Sequence, residues 1–477
     1  MALAKLLIKY CLIVGVTTVS LIGVCWEQEY MKQRIERIDW QNTHMGAHAV
    51  WMPISLRTEP EGSLFAQYFG GSGAEFFYSI VKTSDSGYVA VGDTSSFGAG
   101  GFDALLVKLD ASGAIVWEKA YGGAFNDSAY SVIQTTDSGY LIAGDTSSFG
   151  AGCSDMLIVK VDASGNIDWK RTIGGDKCEY AHSAKQVSDG GYIIAGGTSS
   201  INANSYDALV LKLNSYGNIL WRRTFDIENE MAWDIIQTLD GSYVVIGESG
   251  NGLYQDVLAI RLNSSGNVLW KRKIGSNYNE GAYSIVQTSD EGCIIAGCSN
   301  SFSSENYNDV LVMKLNTSGN LLWRRNIGTD KDECGLSAAQ TPNGNSIISG
   351  YTNSLAPFDN TFMLEMNTNG NIMWKRTLNG TYAEWASSVI PTADGNFIIA
   401  GWSESFGTAY VDALVVKVNA YGIIPGCNLF STPSFTVSAP VLSISAPVMI
   451  VKAPALSISA PSLIITTANL TSGNACP

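Results

Sequence analysis

The chain has 477 residues, of which 49 are glycine and only 12 are proline, and its formal net charge is −14. This length is sufficient for a large hydrophobic core. The acidic balance argues against nucleic acid as a partner, because a phosphate backbone is bound by basic surfaces.

The first 26 residues have the pattern of an export segment. Lys5 and Lys9 precede a largely apolar run from Tyr10 to Trp26, which is typical of a secretory signal peptide or an N-terminal membrane anchor. The run is at the short end for a membrane span, and no A-x-A cleavage site follows it, so both interpretations stay open. We therefore predict a secreted or cell-surface protein that is either cleaved or anchored at its N-terminus.

Residues 27–63 form a linker whose mixed-charge stretch, EQEYMKQRIER, predicts a short helix or stalk. His44 and His48 have the spacing of metal ligands on a helix, but no third ligand lies near them in the sequence. We assign no metal to this segment.

From residue 64 onward one phrase recurs at a spacing of about 51 residues. One clear copy runs from Tyr130 to Trp169 and reads YSVIQTTDSGYLIAGDTSSFGAGCSDMLIVKVDASGNIDW. Its apolar runs are short, rich in Val, Ile and Tyr, and separated by Asp/Gly turns, which indicates four β-strands. Four strands in a unit of this length are typical of a β-propeller blade. The closing tryptophan recurs at Trp117, Trp169, Trp221, Trp270, Trp323 and Trp374.

The two ends of the array complement each other. Residues 64–71 (LFAQYFGG) supply a lone fourth strand with Phe65 in the tryptophan position, and the last copy, residues 386–426, lacks that strand. Pairing the first strand with the last copy closes a ring and removes two exposed sheet edges. We therefore predict an all-β fold, a seven-bladed β-propeller of four-stranded blades over residues 64–426. The alternative, an open β-solenoid, has no need of complementary ends.

Two positions are shared by all seven copies. A glycine in the second strand predicts a bulge or a close backbone approach, and a small or short polar residue in the first strand suits the crowded wall of a central channel. The glycines are Gly92, Gly144, Gly196, Gly247, Gly297, Gly350 and Gly401. The first-strand residues are Ser79, Ser131, Ser183, Asp234, Ser284, Ser337 and Ser388.

Nine cysteines are present, two of them in the export segment. In a propeller the loop after strand two and the connection after strand four lie on one face, which predicts disulfides Cys153–Cys178 and Cys298–Cys334. Cys427 and Cys476 bracket the C-terminal tail, and we predict a third disulfide between them. Disulfides support an extracellular location, whereas the alternative is a cytosolic protein with reduced thiols. Cys293 is left over and is predicted to be a buried thiol.

An aspartate opens the third strand in six copies, and Asn360 replaces it in the remaining one. A ring of carboxylates is a candidate for binding Ca²⁺ or a polyhydroxylated ligand. The symmetry of the ring favours the alternative, a turn-closing hydrogen bond inside each blade, and we expect no cofactor otherwise. These candidates are Asp103, Asp155, Asp207, Asp256, Asp309 and Asp412.

The variable loops after the second strands carry aromatic residues, which make binding surfaces when a rigid scaffold displays them. Four of them recur at an S-S-F or related position, which also fits packing between loops. The candidate ligand-binding residues are Phe97, Phe149, Tyr206, Tyr254, Phe302, Tyr307 and Phe406. No nucleophile–base pair or phosphate-binding loop is evident, so we name no catalytic residue.

Residues 427–477 contain a second, shorter repeat. Pro440, Pro447, Pro454 and Pro461 are seven residues apart, and apolar residues alternate between them. This pattern predicts short β-strands with proline breaks. We expect a small β-module or an extended stalk that is prone to self-assembly.

The repeat phrase, with siblings such as QTSDEGCIIAGCS and the consensus D-x-L-x-x-K-L-D-x-x-G-N-x-x-W, resembles a family of secreted β-propeller repeat proteins. These proteins are common in archaea and occur on bacterial surfaces. The resemblance covers about residues 64–426 and implies an extracellular propeller, often beside stalk or adhesion modules. The family carries no established catalytic set, so the resemblance transfers no active residues.

We therefore expect a non-enzymatic surface protein that binds glycans or cell-envelope proteins through the variable-loop face and serves adhesion or assembly. The alternative is a propeller enzyme, a quinoprotein or a polysaccharide-acting enzyme, that works at the channel mouth. That alternative needs titratable residues that break the repeat symmetry and converge at one end of the channel.

Overall fold

The computed structural model describes residues 63–475, with gaps at 201–204, 251–253, 302–306, 355–357, 408–410, 434–435, 439–442, 446–449, 453–456, 460–463 and 467–470. The predicted export segment and nearly all of the linker lie outside the described residues. Within these ranges all regular secondary structure is β-strand, and no helix suited to crossing a membrane is found there.

Twenty-eight strands form seven antiparallel blades of four strands, as the repeat predicts. Strand β1 (Phe65–Gly70) precedes blade 1, which comprises β2 (Glu75–Lys82), β3 (Tyr88–Thr94), β4 (Asp103–Leu109) and β5 (Ile115–Gly122). Blade 2 comprises β6 (Asp127–Gln134), β7 (Tyr140–Thr146), β8 (Asp155–Val161) and β9 (Ile167–Gly174). Blade 3 comprises β10 (Glu179–Gln186), β11 (Tyr192–Thr198), β12 (Asp207–Leu213) and β13 (Ile219–Asp226).

The other blades repeat this order. Blade 4 comprises β14 (Glu230–Gln237), β15 (Tyr243–Gly250), β16 (Gln255–Leu262) and β17 (Val268–Gly275). Blade 5 comprises β18 (Glu280–Gln287), β19 (Cys293–Ser299), β20 (Asp309–Leu315) and β21 (Leu321–Gly328). Blade 6 comprises β22 (Glu333–Gln340), β23 (Ser346–Thr352), β24 (Asn360–Met366) and β25 (Ile372–Leu378). Blade 7 comprises β26 (Glu384–Pro391), β27 (Phe397–Ser403) and β28 (Asp412–Val418), and is completed by β1.

The predicted closure of the ring is confirmed. Strand β1 pairs antiparallel with β28, with Phe65 opposite Lys417 and Phe69 opposite Ala413. The innermost strands of successive blades contact one another, and β26 contacts β2 across the junction of blades 7 and 1. The seven-bladed ring therefore leaves neither β1 nor β28 as a free edge.

The core lies between the blades. The second and third strands of blade 1, β3 and β4, are buried along their whole length, which explains their nearly continuous apolar sequence. Each hydrophobic cluster combines residues of neighbouring blades; one of them joins Phe77 of blade 1 to Val415 of blade 7. Burial between blades, rather than within a single sheet, therefore stabilises the ring.

The glycine shared by the second strands lies at a bulge, as predicted. In blade 2 the register between β6 and β7 shifts between Ala129 and Ser131, opposite Gly144. A Cβ atom on Gly144 would lie 1.9 Å from the carbonyl oxygen of Ser128. Only glycine allows the two strands to approach this closely.

The small first-strand residues connect the blades through hydrogen bonds. The amide of Ala184 in blade 3 donates to Ser131 Oγ in blade 2 at 3.1 Å, and the amide of Ile285 donates to Asp234 Oδ2 at 3.0 Å. The inner wall of the ring is therefore hydrogen-bonded between blades as well as packed.

The closing tryptophan of each of blades 1 to 6 packs on the next blade. Trp169 Nε1 donates to the carbonyl oxygen of Ser215, and the ring lies so close to Gly217 that a Cβ atom there would be 2.6 Å from it. Arg171 stacks over Trp169, with its guanidinium carbon 5.4 Å from the ring centroid, and donates to the carbonyl oxygen of Tyr216. This clamp between blades recurs around Trp221, Trp270 and Trp323.

The C-terminal tail adds a fifth strand to every blade. Its strands are β29 (Phe430–Ser431), β30 (Thr436–Ser438), β31 (Ser443–Ser445), β32 (Ile450–Lys452), β33 (Ser457–Ser459), β34 (Ile464–Thr466) and β35 (Thr471–Asn474). They pair in order with the outer strands of blades 6, 5, 4, 3, 2, 1 and 7. One seven-residue repeat therefore spans the distance from one blade to the next.

The tail is confirmed as β-structure, but the expectation of a separate module or stalk was wrong. Strands of two to four residues are too short to be stable alone. The outer edges of the blades offer them unpaired backbone groups, and the tail encircles the ring by taking these edges in turn. Self-assembly through the tail stays a prediction.

Two of the predicted disulfides are confirmed. Cys153–Cys178 joins the loop between the second and third strands of blade 2 to the connection between blades 2 and 3, with its Cα atoms 5.2 Å apart. Cys298–Cys334 joins strands β19 and β22, rather than loops, with its Cα atoms 4.9 Å apart. Cys427 is disulfide-bonded, and its predicted partner Cys476 lies outside the described residues. Cys293 is a buried free thiol, as predicted.

Candidate functional site

The aspartates that open the third strands lie at the junctions between blades. Asp103 Oδ2 accepts a hydrogen bond from the amide of Ala99 in its own loop, and its other oxygen lies against Gly122 near the carboxylate of Asp127. Asp127 in turn accepts the amide of Gly123 and the Thr146 hydroxyl. The aspartate thus closes its own loop, as the structural alternative predicts.

Burial and the Asp127 charge raise the pKa of Asp103 to about 6. Burial likewise raises the pKa of Asp155 to about 6, with Glu179 as the charged neighbour, and that of Asp309 to about 6. No group of three or more His, Cys, Asp or Glu side chains with metal-binding geometry occurs among the described residues. Ca²⁺ binding by these aspartates therefore gains no support from the geometry.

In blade 1 an aspartate in the turn between the first and second strands, Asp85, pairs with a buried lysine that was not singled out from the sequence. Lys108, on β4, has only 4% of its surface exposed. Its Nζ lies 3.0 Å from Asp85 and donates to Thr83 Oγ1 and to the carbonyl oxygen of Leu109. In blade 6 both charges are replaced, by Asn343 and Glu365. This arrangement is structural rather than functional, because it recurs with the fold.

The predicted loop aromatics divide into packed and accessible residues. Phe97 and Phe149 pack against the connecting loops at Gly71 and Gly123, and Phe406 packs against the core cluster of blade 7. The packing interpretation therefore fits these three. Tyr206 contacts Tyr180 at the channel, with ring centroids 6.0 Å apart. Phe302 lies outside the described residues.

The remaining two predicted residues, Tyr254 and Tyr307, belong to a series on the loop face. At three successive blade junctions an aromatic residue from a second-to-third-strand loop contacts a side chain from the following inter-blade connection. Tyr254 meets Tyr278 at 6.4 Å between centroids, and Phe358 meets Tyr382 at 5.3 Å. Between them, Lys331 Nζ lies 5.2 Å from the Tyr307 ring centroid. We call this series, which spans blades 4 to 7, the rim arc.

The four rings of the two aromatic pairs are accessible to solvent. Tyr254, Tyr278, Phe358 and Tyr382 are exposed by 49%, 44%, 38% and 49% respectively. Aromatic rings of this accessibility, grouped on rigid loops, are typical of binding surfaces. The sequence analysis missed Tyr278, Phe358 and Tyr382 because each stands in a loop without a repeated pattern.

The channel wall carries a second set of aromatic rings. Tyr78, Tyr130, His182, Trp233 and Tyr283 occupy one position of the innermost strands of blades 1 to 5, and neighbouring members are 4.2 to 5.8 Å apart between centroids. Because the same position in successive blades is in contact, the rings surround the channel axis. All five side chains are partly accessible.

The series continues on blades 6 and 7. Tyr351 stacks on Trp385 at 4.1 Å, Trp385 stacks on Trp402 at 5.4 Å, and Trp402 contacts Phe76 of blade 1 at 5.8 Å. The Cys298–Cys334 disulfide joins blades 5 and 6 where the two halves of the series meet. The aromatic wall therefore includes side chains from all seven blades.

Carboxylates interrupt the repeat at the same level of the channel. The residue after the shared glycine of the second strand is Asp93 in blade 1, Asp145 in blade 2 and Glu248 in blade 4, whereas blades 6 and 7 have Tyr351 and Trp402 there. Asp93 accepts hydrogen bonds from Ser128 Oγ and the Ala129 amide. Burial nevertheless raises the pKa of Asp93 to about 7, and burial also raises the pKa values of Asp145 and Glu248.

His182 is the member of this wall contributed by the innermost strand of blade 3. Its Nδ1 lies 3.0 Å from the carbonyl oxygen of Ala232, and it stacks on Trp233. Burial lowers the pKa of His182 to about 4, so the imidazole is neutral at physiological pH. It therefore contributes an aromatic surface and no charge.

A family model matches the sequence over less than half of the chain. The family model described as outer membrane protein assembly factor BamB (PQQ_2) matches residues 156–376. None of the curated proteins matches the sequence.

Among solved structures, Sqt1 from Chaetomium thermophilum is 10% identical, with a TM-score of 0.46 over 75% of this chain and 98% of that chain. A structure of the same protein bound to the N-terminus of the ribosomal protein L10 is 10% identical, with a TM-score of 0.44 over 74% and 98%. A protein of unknown function from Dyadobacter fermentans DSM 18053 is 8% identical, with a TM-score of 0.42 over 75% and 99%. At these values the likenesses bear on neither the site nor the function.

Proposed function

We propose that this protein is a secreted or cell-surface, non-enzymatic binding protein that takes a neutral glycan on the rim arc. The observation that carries this proposal is the exposure of two aromatic pairs, Tyr254–Tyr278 and Phe358–Tyr382, at junctions of adjacent blades. Aromatic faces offer a broad apolar surface to the C–H face of a sugar ring, while neighbouring polar groups bind its hydroxyls.

The charge of the protein narrows the class of glycan. The net charge is −14, so a polyanionic glycan would meet repulsion over most approaches. The one cation in the arc, Lys331, stacks on Tyr307. A neutral polysaccharide or oligosaccharide fits this surface best. Adhesion to a glycan-bearing surface is the biological role that follows from such binding.

The test is binding of secreted protein to a glycan array, followed by titration calorimetry with the oligosaccharides that are retained. We expect Tyr254→Ala and Tyr382→Ala each to weaken binding by about 5- to 30-fold, which corresponds to about 1–2 kcal/mol per ring. Tyr216→Ala is the matched control, because Tyr216 is 71% exposed but lies in a third-to-fourth-strand turn on the opposite face. Equal losses in all three variants, or no retained neutral glycan, contradict the proposal.

The enzyme alternative has one observation in its favour. Asp93, Asp145 and Glu248 break the repeat symmetry, and a carboxyl with a pKa of about 7 suits acid–base chemistry near neutral pH. Its test is release of reducing ends from polysaccharides, together with an absorbance scan for a bound quinone. Activity that is lost in Asp93→Asn would establish the alternative and overturn the non-enzymatic proposal.

A further inference from the structure

The loop-side half of the channel has a composition unlike the rest of the protein. The first strand of every blade begins with a buried acidic residue: Glu75, Asp127, Glu179, Glu230, Glu280, Glu333 or Glu384. The wall consists of three positions per blade: the residues one and three places after this acid, and the residue after the shared glycine of the second strand. Across the seven blades these positions include ten aromatic or histidine side chains and three carboxylates, and no lysine or arginine. The wall therefore combines π-faces with negative charge.

Two neighbouring groups bear on the charge of this wall: one adds a carboxylate, and the other is a lysine that is already paired. Asp359, at the start of the third strand of blade 6, accepts a hydrogen bond from Trp385 Nε1 at 3.0 Å. Lys185 Nζ is near the channel but is paired with Asp234 at 3.3 Å. Both residues come after the wall positions of their strands. The loop-side wall thus has no cation of its own among the described residues.

One carboxylate oxygen in this wall is buried without a donor. Asp145 is 8% exposed; Ser154 donates to its Oδ2 and the Tyr130 hydroxyl also interacts with this carboxylate, whereas Oδ1 has no partner of good hydrogen-bond geometry among the described residues. Asp145 occupies the position at which Tyr351 and Trp402 contact the channel rings, so this side chain belongs to the same wall. A buried carboxylate oxygen without a donor is costly, and a positively charged ligand relieves that cost.

A bare metal ion does not fit this arrangement. The described residues contain no group of three or more His, Cys, Asp or Glu side chains that could hold a metal ion. The carboxylates stand on different blades, and aromatic rings lie between them around the wall. A large cation with a diffuse charge, such as a substituted ammonium, contacts π-faces and carboxylates together.

We propose that the loop-side half of the channel binds an organic ammonium cation, held by the faces of Tyr78, Tyr130 and Trp233 and by the carboxylates of Asp93, Asp145 and Glu248. The ammonium group is either a free small molecule or a group carried by a larger ligand. Burial raises the pKa values of the three carboxyls, and a cation bound beside them would stabilise their charged forms. The proposal does not depend on glycan binding at the rim arc.

The test is titration calorimetry of the full chain with tetramethylammonium chloride, and in parallel with tert-butanol, a neutral molecule of similar shape. We expect tetramethylammonium to bind and tert-butanol to bind at least about 10-fold more weakly. Asp145→Asn and Trp233→Leu are each expected to weaken tetramethylammonium binding by about 3- to 30-fold, the range that one cation–π or charge contact supplies.

The controls separate this site from others. Asp103→Asn removes the same charge at a blade junction outside the channel, and Tyr254→Ala alters the rim arc; neither should change tetramethylammonium binding. Thermal melting of each variant shows that the fold is intact, and Trp233→Phe, which keeps a π-face, should restore most of the affinity if Trp233→Leu disturbs folding. Equal affinity for the cation and for tert-butanol, no binding, or displacement of the cation by CaCl₂ would overturn the proposal.

Discussion

Phe65 packs against Gly113 in the way that Trp169 packs against Gly217. A Cβ atom on Gly113 would lie 2.7 Å from the Phe65 ring, and one on Gly217 would lie 2.6 Å from the Trp169 ring. The junction that closes the ring therefore uses the same contact as the junctions inside the chain, with phenylalanine in place of tryptophan.

This contact predicts the effect of Gly217→Ala. The added methyl group would collide with the indole of Trp169, and the residue has a positive φ of 77°. Gly190→Ala is the matched control, because Gly190 has a φ of 79° but no atom within 4 Å of the added methyl group. We expect both variants to lose about 1–2 kcal/mol of unfolding free energy from the backbone conformation and Gly217→Ala to lose about 1–3 kcal/mol more from overpacking. Denaturant unfolding measures the loss of free energy in each variant. Equal losses would show that the Trp169 indole moves aside without a measurable cost.

The hydrogen bonds between innermost strands predict that two serine-to-alanine substitutions differ in their cost to stability. Ser131→Ala removes the acceptor of the Ala184 amide, which is buried, and leaves that amide without a partner. We expect a loss of about 1–3 kcal/mol in the free energy of unfolding. Ser79→Ala should cost less, because the amide of Val132 lies 3.5 Å from Ser79 Oγ, at the limit of a hydrogen bond. The reverse order of stabilities in denaturant unfolding would contradict this account of the inner wall.

The buried lysine predicts a coupling between two substitutions. Burial alone would raise the pKa of Asp85, but hydrogen bonds from Thr83 and Lys108 outweigh it and lower the pKa to about 2. Asp85→Asn leaves the Lys108 ammonium buried beside a neutral group and should destabilise the fold by about 1–3 kcal/mol. In the double variant with Lys108→Met, no unpaired charge remains, so we expect part of the loss to be recovered. A double-mutant cycle with additive losses would show that the two side chains act independently.

The junction aspartates predict a dependence of stability on pH. The pKa of Asp103 in the folded state, about 6, is above its usual unfolded value of about 3.9, so folding binds a proton between these values. This contribution is most favourable at low pH and is lost as the pH rises through 6. Asp103→Asn should therefore raise the melting temperature at pH 8 and change it little at pH 4.5.

Blade 6 provides the natural counterpart of that variant, since Asn360 stands in the aspartate position. Asn360→Asp should lower the melting temperature at pH 8 more than at pH 4.5, because it places a carboxyl at a buried position, only 6% exposed, that corresponds to Asp103 in blade 1. Melting temperatures that respond in the same way at both pH values would refute the raised pKa values of the junction carboxyls.

The encircling tail predicts that its removal exposes strand edges. Deletion of residues 436–477 removes the fifth strand from six of the seven blades, whereas deletion of residues 471–477 removes only β35. We expect the longer deletion to lower the melting temperature further and to cause self-association, because exposed edges pair with other chains. Light scattering after size-exclusion chromatography measures association. Two monomeric variants with the melting temperature of the full chain would show that the tail is dispensable.

More of the scaffold than of the candidate site could be predicted from the sequence. The seven copies could be aligned with one another, so the shared glycines, the tryptophans and Phe65 were recognisable without coordinates. Asp93, Asp145 and Glu248 were missed because an internal alignment draws attention to positions that the copies share, and these residues depart from them. The pairing of the tail with the blades was not predicted, because the sequence of a three-residue strand does not indicate which strand it pairs with. The strands that it pairs with are up to several hundred residues away in the chain.

The position of β1 has a consequence for biosynthesis. This strand is made before the other described strands of the propeller, yet its partner β28 follows the strands of six blades and its partner β35 follows six strands of the tail. The amide of Ala475 donates to the carbonyl oxygen of Ala66. The nascent chain must therefore keep β1 unpaired while six blades form behind it. Closure of the ring therefore cannot precede the synthesis of β28, and until that strand is made the earliest strand has no partner in its own sheet.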